Sequence, residues 1–296
     1  MKKLGLATAL LLAVTGAQAY QFEVQGQSEY LDTTVNDKDF IGGVQATYYF
    51  KNVDAAKGPL AEAAFLNHAS NIAVAYNYAE LGNEGLDVVA HNMGAKGEVY
   101  IPTSVVPVYA SASYSATIAD AKNQLTKEAG LEDNGDRYAL ELGALALPNF
   151  LVAVGYTSAA NQQALDAFKV ANNGVVAGYG ESLTLGEDQD AITARTKYVG
   201  DIDGTNMSVA FESGLVYGDE TAFNLGSTLY VTPKLGLGVA YYESSFAASP
   251  DSALAANVNY FITPAIAVGT SFVKANAKDN SVLDTETVGL NAKFRF

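Results

Sequence analysis

Apolar and polar side chains alternate one for one along most of this chain. Tyr20, Phe22 and Val24 oppose Gln21, Glu23 and Gln25; Val44, Ala46, Tyr48 and Phe50 oppose Gln45, Thr47 and Tyr49; Ile72, Val74, Tyr76 and Tyr78 oppose Ala73, Ala75 and Asn77. The pattern continues through 108–115 and 235–242 to the end, where Val288, Leu290, Ala292, Phe294 and Phe296 oppose Gly289, Asn291, Lys293 and Arg295. Successive side chains of a strand point to opposite faces, so a period of two predicts strands with one apolar face.

Such segments fall near 20–30, 40–50, 70–80, 88–101, 107–118, 136–147, 150–158, 190–199, 206–216, 221–232, 235–244, 253–262, 265–274 and 285–296, fourteen in all. An even number returns both chain ends to the same side. The connections also sort by parity. Those after even strands are mostly tight (102–106, 148–149, 200–205, 233–234, 263–264), and several are marked by proline, at Pro102, Pro148, Pro233 and Pro264. Those after odd strands include the longest, 119–135 and 159–189. The most apolar stretch, 142–156, is broken by Pro148-Asn149 and reads as a hairpin, and nothing after the N-terminus reaches the roughly 18 apolar residues of a membrane helix. A short repeat, Tyr230-Val231-Thr232-Pro233-Lys234-Leu235 against Tyr260-Phe261-Ile262-Thr263-Pro264-Ala265, marks repeated hairpins.

Which face meets solvent decides the class. In a soluble sandwich or barrel the apolar face turns inward; in a membrane barrel it turns to lipid around a polar lumen. Here the polar face is rich in Gly, Ala and Ser, which suit a crowded lumen. Aromatics gather at the ends of the apolar face: Tyr20, Phe22, Tyr48, Phe50, Phe150, Tyr198, Tyr230, Tyr260, Phe294 and Phe296 toward the short turns, Tyr30, Tyr78, Tyr114 and Tyr156 toward the loops. These form two expected girdles, with Tyr serving in a chain that has 18 Tyr and no Trp. The pattern predicts an all-β transmembrane antiparallel β-barrel of about 14 strands, with short periplasmic turns and longer extracellular loops.

The N-terminus agrees. Lys2 and Lys3, the apolar run 4–14 and Ala17-Gln18-Ala19 read as a secretory signal with a cleavage site, which divides the chain into a signal peptide (1–19) and a barrel (20–296). At the other end Leu290, Phe294 and Phe296 share the apolar face and resemble the C-terminal signal read by the barrel assembly machinery. The expected location is the outer membrane of a Gram-negative bacterium.

Charge then refines the picture. The chain carries 17 basic and 32 acidic residues for a net −15, which disfavours nucleic acid as a partner. Without its signal peptide the barrel has 15 bases and a charge of −17, and the odd-strand connections with their flanks hold 22 acids but six bases. That acidic rim suits solubility and divalent-cation bridging to lipopolysaccharide, or a funnel favouring cations. The inward faces are mixed and near neutral. They place Lys96, Arg137, Arg195, Lys197, Lys293 and Arg295 against Glu23, Glu29, Glu98, Glu141 and Glu212, the candidate pore lining.

Two insertions bear on patency. Residues 52–70 contain Leu60-Ala61-Glu62-Ala63-Ala64-Phe65-Leu66, a helical turn or two after Gly58-Pro59; residues 159–189 form a long Gly-, Ala- and Asn-rich loop. Fourteen strands enclose a lumen intermediate between filled eight-stranded barrels and sixteen-stranded porins, so either insertion is long enough to constrict it. The expectation is a restricted passive channel for water, ions and small solutes, in a monomer set in outer-membrane lipid and lipopolysaccharide. The alternatives are a transporter of hydrophobic, fatty-acid-type substrates or a structural or adhesive barrel.

Enzymatic chemistry finds little support. There is no Cys, and the two His residues, His68 in a connection and His91 on the apolar face, are poorly placed for a catalytic triad. The acidic runs 132–136 and 187–190 lack EF-hand spacing, so no metal or cofactor is expected.

Several blocks carry a family likeness: 1–30, 58–66, 133–140, 147–158, 195–200, 203–207 and 290–296. They closely resemble the Acinetobacter putative porin family, on the side of its water-channel outer-membrane porins, and the likeness runs along the whole chain. The resemblance implies an outer-membrane barrel that passes water and small solutes and bears on drug permeability. It offers no catalytic residues.

Overall fold

The computed structural model describes residues 19–33, 36–83, 86–122, 133–160, 165–173, 189–219, 221–245, 251–276 and 285–296. The signal peptide read at 1–19 lies almost wholly outside this set, as do most of loops 119–135 and 159–189 and parts of both acidic runs. Fourteen strands form one closed antiparallel barrel in which each strand pairs with its sequence neighbours and the first with the last. They are β1 (Ala19–Thr33), β2 (Asn36–Asp54), β3 (Asn71–Asn83), β4 (Leu86–Ile101), β5 (Val108–Ala121), β6 (Asp133–Leu147), β7 (Phe150–Ala160), β8 (Gln189–Asp201), β9 (Ser208–Tyr217), β10 (Thr221–Thr232), β11 (Leu235–Ser244), β12 (Ser252–Thr263), β13 (Ile266–Asn276) and β14 (Thr285–Arg295). Closure satisfies every strand edge, which a backbone in hydrocarbon requires.

The strand period places the faces as the alternation predicts. Leu140, Leu142, Val154, Val239, Leu254 and Leu290 stand outward, Leu290 with 63% of its surface exposed, while Glu23, Asn77, Asn92 and Arg137 are enclosed. At the seam, Phe22 and Phe296 exchange backbone hydrogen bonds at 2.8 and 2.9 Å and their rings stack 5.4 Å apart. Phe22 also meets Tyr48 at 4.8 Å. Aromatics thus ring the short-turn end. Near the other end Tyr78 packs against His91, whose Nδ1 meets the Tyr76 hydroxyl at 2.8 Å. His91 is therefore tied into the outer aromatic belt.

Two expectations are corrected. Tyr20 and Tyr230 do not belong to the girdle; both are buried. The strand register shifts at Tyr20/Phe22 and at Tyr230/Thr232, and on β10 the outward positions are Leu225, Leu229 and Val231, so Tyr230 has inward parity. The repeat is consequently aligned on its Thr-Pro turns: Tyr230 corresponds to Phe261, and Leu145 occupies the same place before Pro148. All three are buried three residues before a proline, beside a register shift.

Candidate pore and its constrictions

The candidate pore residues lie on the inner face, and most of them are gathered into ion-paired groups. Glu23 accepts from Arg295 Nε at 2.6 Å and meets Lys293 Nζ at 3.1 Å. Glu23 and Arg295 are also register partners across the β1–β14 seam. The Arg295 guanidinium lies 4.5 Å from the Tyr20 ring and 4.7 Å from the Phe261 ring. Lys96 pairs with Glu98 at 2.9 Å, and Glu98 further accepts from Asn71 Nδ2 and the Tyr109 hydroxyl. Arg195 grips Glu141 with two bonds, 2.7 and 3.0 Å, and donates to Tyr109 Oη. That pair spans β7, and Gly155 gives it room: a Cβ there would sit 3.0 Å from Glu141 Cγ and 2.6 Å from Thr193 Oγ1. Lys197 bridges Glu62 and its register partner Glu212. Glu29 and Arg137 are buried in the wall. Enclosed charges are costly unless compensated, and this wall compensates them by pairing.

The insertion after β2 folds across the short-turn end as a floor. Gly58 takes a positive φ of 91° ahead of Pro59, and the chain then forms a 3-10 turn, Leu60–Glu62, and helix α1, Ala63–Leu66. The Leu60 N–H donates to Pro233 O at 2.8 Å, and Leu60 O accepts from Arg295 Nη1 at 2.7 Å. Glu62 accepts from the Tyr230 hydroxyl at 2.6 Å and pairs with Lys197 at 2.9 Å. Phe65 packs with Tyr109, Leu145, Leu151 and Val199, and His68 Nε2 lies 2.7 Å from Pro148 O with its ring stacked on Tyr100. The inverted side chains noted above, Tyr20, Leu145, Tyr230 and Phe261, are the surfaces against which this floor rests.

The insertion after β7 enters the lumen from the opposite end. Residues 165–166 lead into helix α2, Ala167–Asn173, which lies against β1–β4. Polar side chains of the wall serve its backbone. Gln27 Nε2 donates to Val170 O at 2.6 Å, Asn77 Nδ2 to Ala167 O at 2.9 Å and Asn92 Nδ2 to Leu165 O at 3.1 Å. Thr117 Oγ1 accepts from Leu165 N and Ser115 Oγ from Ala167 N. Gln25 and Gln45 engage Asn172. The apolar side of α2 is also buried, with Phe168 beside Ala73 and Ala75 and Val170 beside Ile41. Asp166 caps the helix, accepting from the N–H groups of Phe168 and Lys169. Burial opposes its ionisation, but Arg137, Lys169 and Lys96 outweigh burial and hold the carboxyl below the ordinary aspartate range.

Between α2 and the β5–β10 wall remains a cavity of about 500 Å³, lined by hydroxyls, amides and charges that include Arg137, Lys169, Arg195 and Glu212. The sequence reading missed Glu62, Asp166 and Lys169 as lumen charges, and it assigned the last two to the outer rim. Parity shows where a strand residue points but not where a loop goes. The amide row Gln25, Gln27, Gln45, Asn77 and Asn92, on β1 to β4, was the available signal: inward amides on adjacent strands imply a polar object to bind.

Comparison with known proteins accords with this geometry. Acinetobacter baumannii outer membrane protein Omp33 is similar over 95% of this chain and 100% of its own, with 49% identity and a TM-score of 0.71. The Ralstonia pickettii toluene transporter TbuX shares the barrel fold, with a TM-score of 0.51 over 95% of this chain and 90% of its own, at 10% identity. A search of curated proteins returns no match. The family described as "putative general bacterial porin" matches residues 1–296. With its closed barrel, polar lumen and outward apolar belt, the chain belongs to that porin family and is an outer-membrane channel of porin type.

Proposed function

We propose that this porin is a narrow passive channel for water, ions and small solutes, restricted by two segments folded into its lumen, and that it performs no chemistry on what it passes. The observation that carries this reading is the polar cavity of about 500 Å³ left between α2 and the β5–β10 wall. It has room for small hydrated solutes but is far short of an open sixteen-stranded pore. Its hydroxyls, amides and paired charges suit water and polar solutes, which favours them over the hydrophobic-substrate alternative. The outward positions of Leu290, Phe294 and Phe296 support a role in recognition by the assembly machinery.

The test is reconstitution in planar bilayers and in liposomes, with conductance compared to osmotic swelling in sugars of increasing size. The expected result is small unitary conductance with swelling cut off at small sugars. A silent, impermeable barrel would overturn the reading in favour of a structural or adhesive role.

A further inference from the structure

One inward row of register partners runs most of the way around the barrel. On β5 to β1 it consists of Thr117, Asn92, Asn77, Gly43 and Gln27. This half grips the inserted segment, with Gln27, Asn77 and Asn92 donating to the carbonyls of Val170, Ala167 and Leu165. The row then crosses the β1–β14 seam to Asn291, Gly269, Asn259 and Gly236. The adjacent row sets Ser271, Asn257 and Gly238 side by side on β13, β12 and β11. A patch of amides thus continues past α2 onto the β11–β14 wall. Its asparagines repeat the arrangement of Asn77, in which the amide lies across a glycine partner. A Cβ at Gly43 would overlap Asn77 Oδ1, one at Gly238 would stand 2.6 Å from Asn257 Nδ2, and one at Gly269 would stand 2.8 Å from both amide heteroatoms of Asn291. Asn257 and Asn291 make no side-chain hydrogen bond among the described residues, and Asn259 Oδ1 is buried without a partner. Asn257 is exposed although it faces inward, so it borders open lumen. The patch is also neutral. Strands β10 to β13 carry two charged residues, Glu243 and Lys274, and both share the outward parity of Tyr241 and Phe272.

We infer that the amide patch on β11–β14 is a binding site for small uncharged solutes that carry carboxamide or peptide groups. The inference rests on the channel reading above and names a solute class within it. Each asparagine offers two N–H donors and a carbonyl acceptor, the complement of a peptide group. The other half of the same row already holds a peptide backbone in this way, through Gln27, Asn77 and Asn92. An ion gains nothing comparable. Elsewhere in the lumen Arg195 is paired with Glu141, Lys96 with Glu98, Lys197 with Glu212, and both Lys293 and Arg295 with Glu23. A charged solute entering the patch gives up hydration without meeting an opposite charge, whereas a neutral amide exchanges its hydrogen bonds to water for equivalent ones to the wall.

The experiment measures entry of three solutes of similar size into liposomes carrying the reconstituted protein: N-acetylglycinamide, its carboxylate counterpart N-acetylglycinate, and the polyol erythritol, which reports lumen width. N-acetylglycinamide should enter fastest. Asn257→Ala and Asn291→Ala should each lower the ratio of N-acetylglycinamide to erythritol entry by about fivefold, the factor carried by one neutral hydrogen bond. Both variants keep the backbone ladders, and heat-modifiable gel migration verifies the folded barrel. Gly238→Ala provides a second route, because its methyl group displaces the Asn257 amide without removing it, and it should lower the same ratio. Equal entry of N-acetylglycinamide and erythritol in the wild type, faster entry of N-acetylglycinate, or a ratio unmoved by the asparagine variants would overturn the inference and leave the channel reading intact. A barrel that passes none of the three and conducts no ions would overturn both.

Discussion

Gly94 offers a direct way to ask whether α2 restricts the pore. It lies on the inner face of β4, in register with Ala75 of β3 and Ser115 of β5, under the start of the inserted helix. A Cβ at this position would stand 2.9 Å from Ala167 Cβ, 3.0 Å from Phe168 Cε2 and 3.0 Å from Ser115 Oγ. Ala167 has no side-chain torsion with which to retreat, and Ser115 Oγ already accepts the Ala167 N–H at 3.1 Å. In Gly94→Ala the helix must therefore give way. Overpacking of this kind costs about 1–3 kcal/mol, which shifts the balance between docked and undocked helix by about 5- to 150-fold. The barrel itself should be spared, because the strand ladders do not depend on α2. Gly97→Ala is the matched control: it makes the same change on the same strand at an outward site with nothing within 4 Å. Single-channel recording, with heat-modifiable gel migration to verify the folded barrel, is the assay. Gly94→Ala should show larger or longer openings, Gly94→Val more so, and Gly97→Ala none of this. A folded Gly94→Ala barrel conducting like the wild type would refute α2 as the restricting element.

Two further predictions address the opposite ends of the chain's architecture. Glu62→Ala removes the acceptor of the Tyr230 hydroxyl and the partner of Lys197, weakening the floor by about 2 kcal/mol; limited proteolysis should cut the 55–70 segment faster, with Glu62→Gln intermediate because it keeps an acceptor, and equal cleavage rates would count against this latch. Phe296→Ser deletes the ring stacked on Phe22 but keeps the backbone bonds of the seam. Outer-membrane yield should fall while refolding in detergent stays near normal, and normal yield in cells would argue against an assembly signal at this residue.

The strands were legible because their information is local. A side chain on a strand has two faces to choose between, and lipid on one side with a crowded polar lumen on the other imposes that choice residue by residue. Strand number, closure order and the inward positions of Glu23, Arg195 and Lys293 follow from parity alone. Parity failed at strand ends. At Tyr20 the register shift takes the side chain into the floor, and Tyr230 was misplaced because its repeat was aligned on tyrosine instead of on the Thr-Pro turn.

The insertions mark the other limit. Leu60–Glu62 and α1 were visible as helical turns after Gly58-Pro59, and the 159–189 loop was conspicuous for its length, but nothing local says that either folds inward. That outcome depends on groups far apart in sequence: Gln27 meeting Val170, Asn92 meeting Leu165, Arg295 meeting Leu60, Tyr230 meeting Glu62. The sequence by itself settled the barrel, its faces and its membrane. Only the tertiary structure decided what fills the lumen and which charges face the remaining space, because a loop's position is set by the non-local partners that satisfy its backbone and not by its own period.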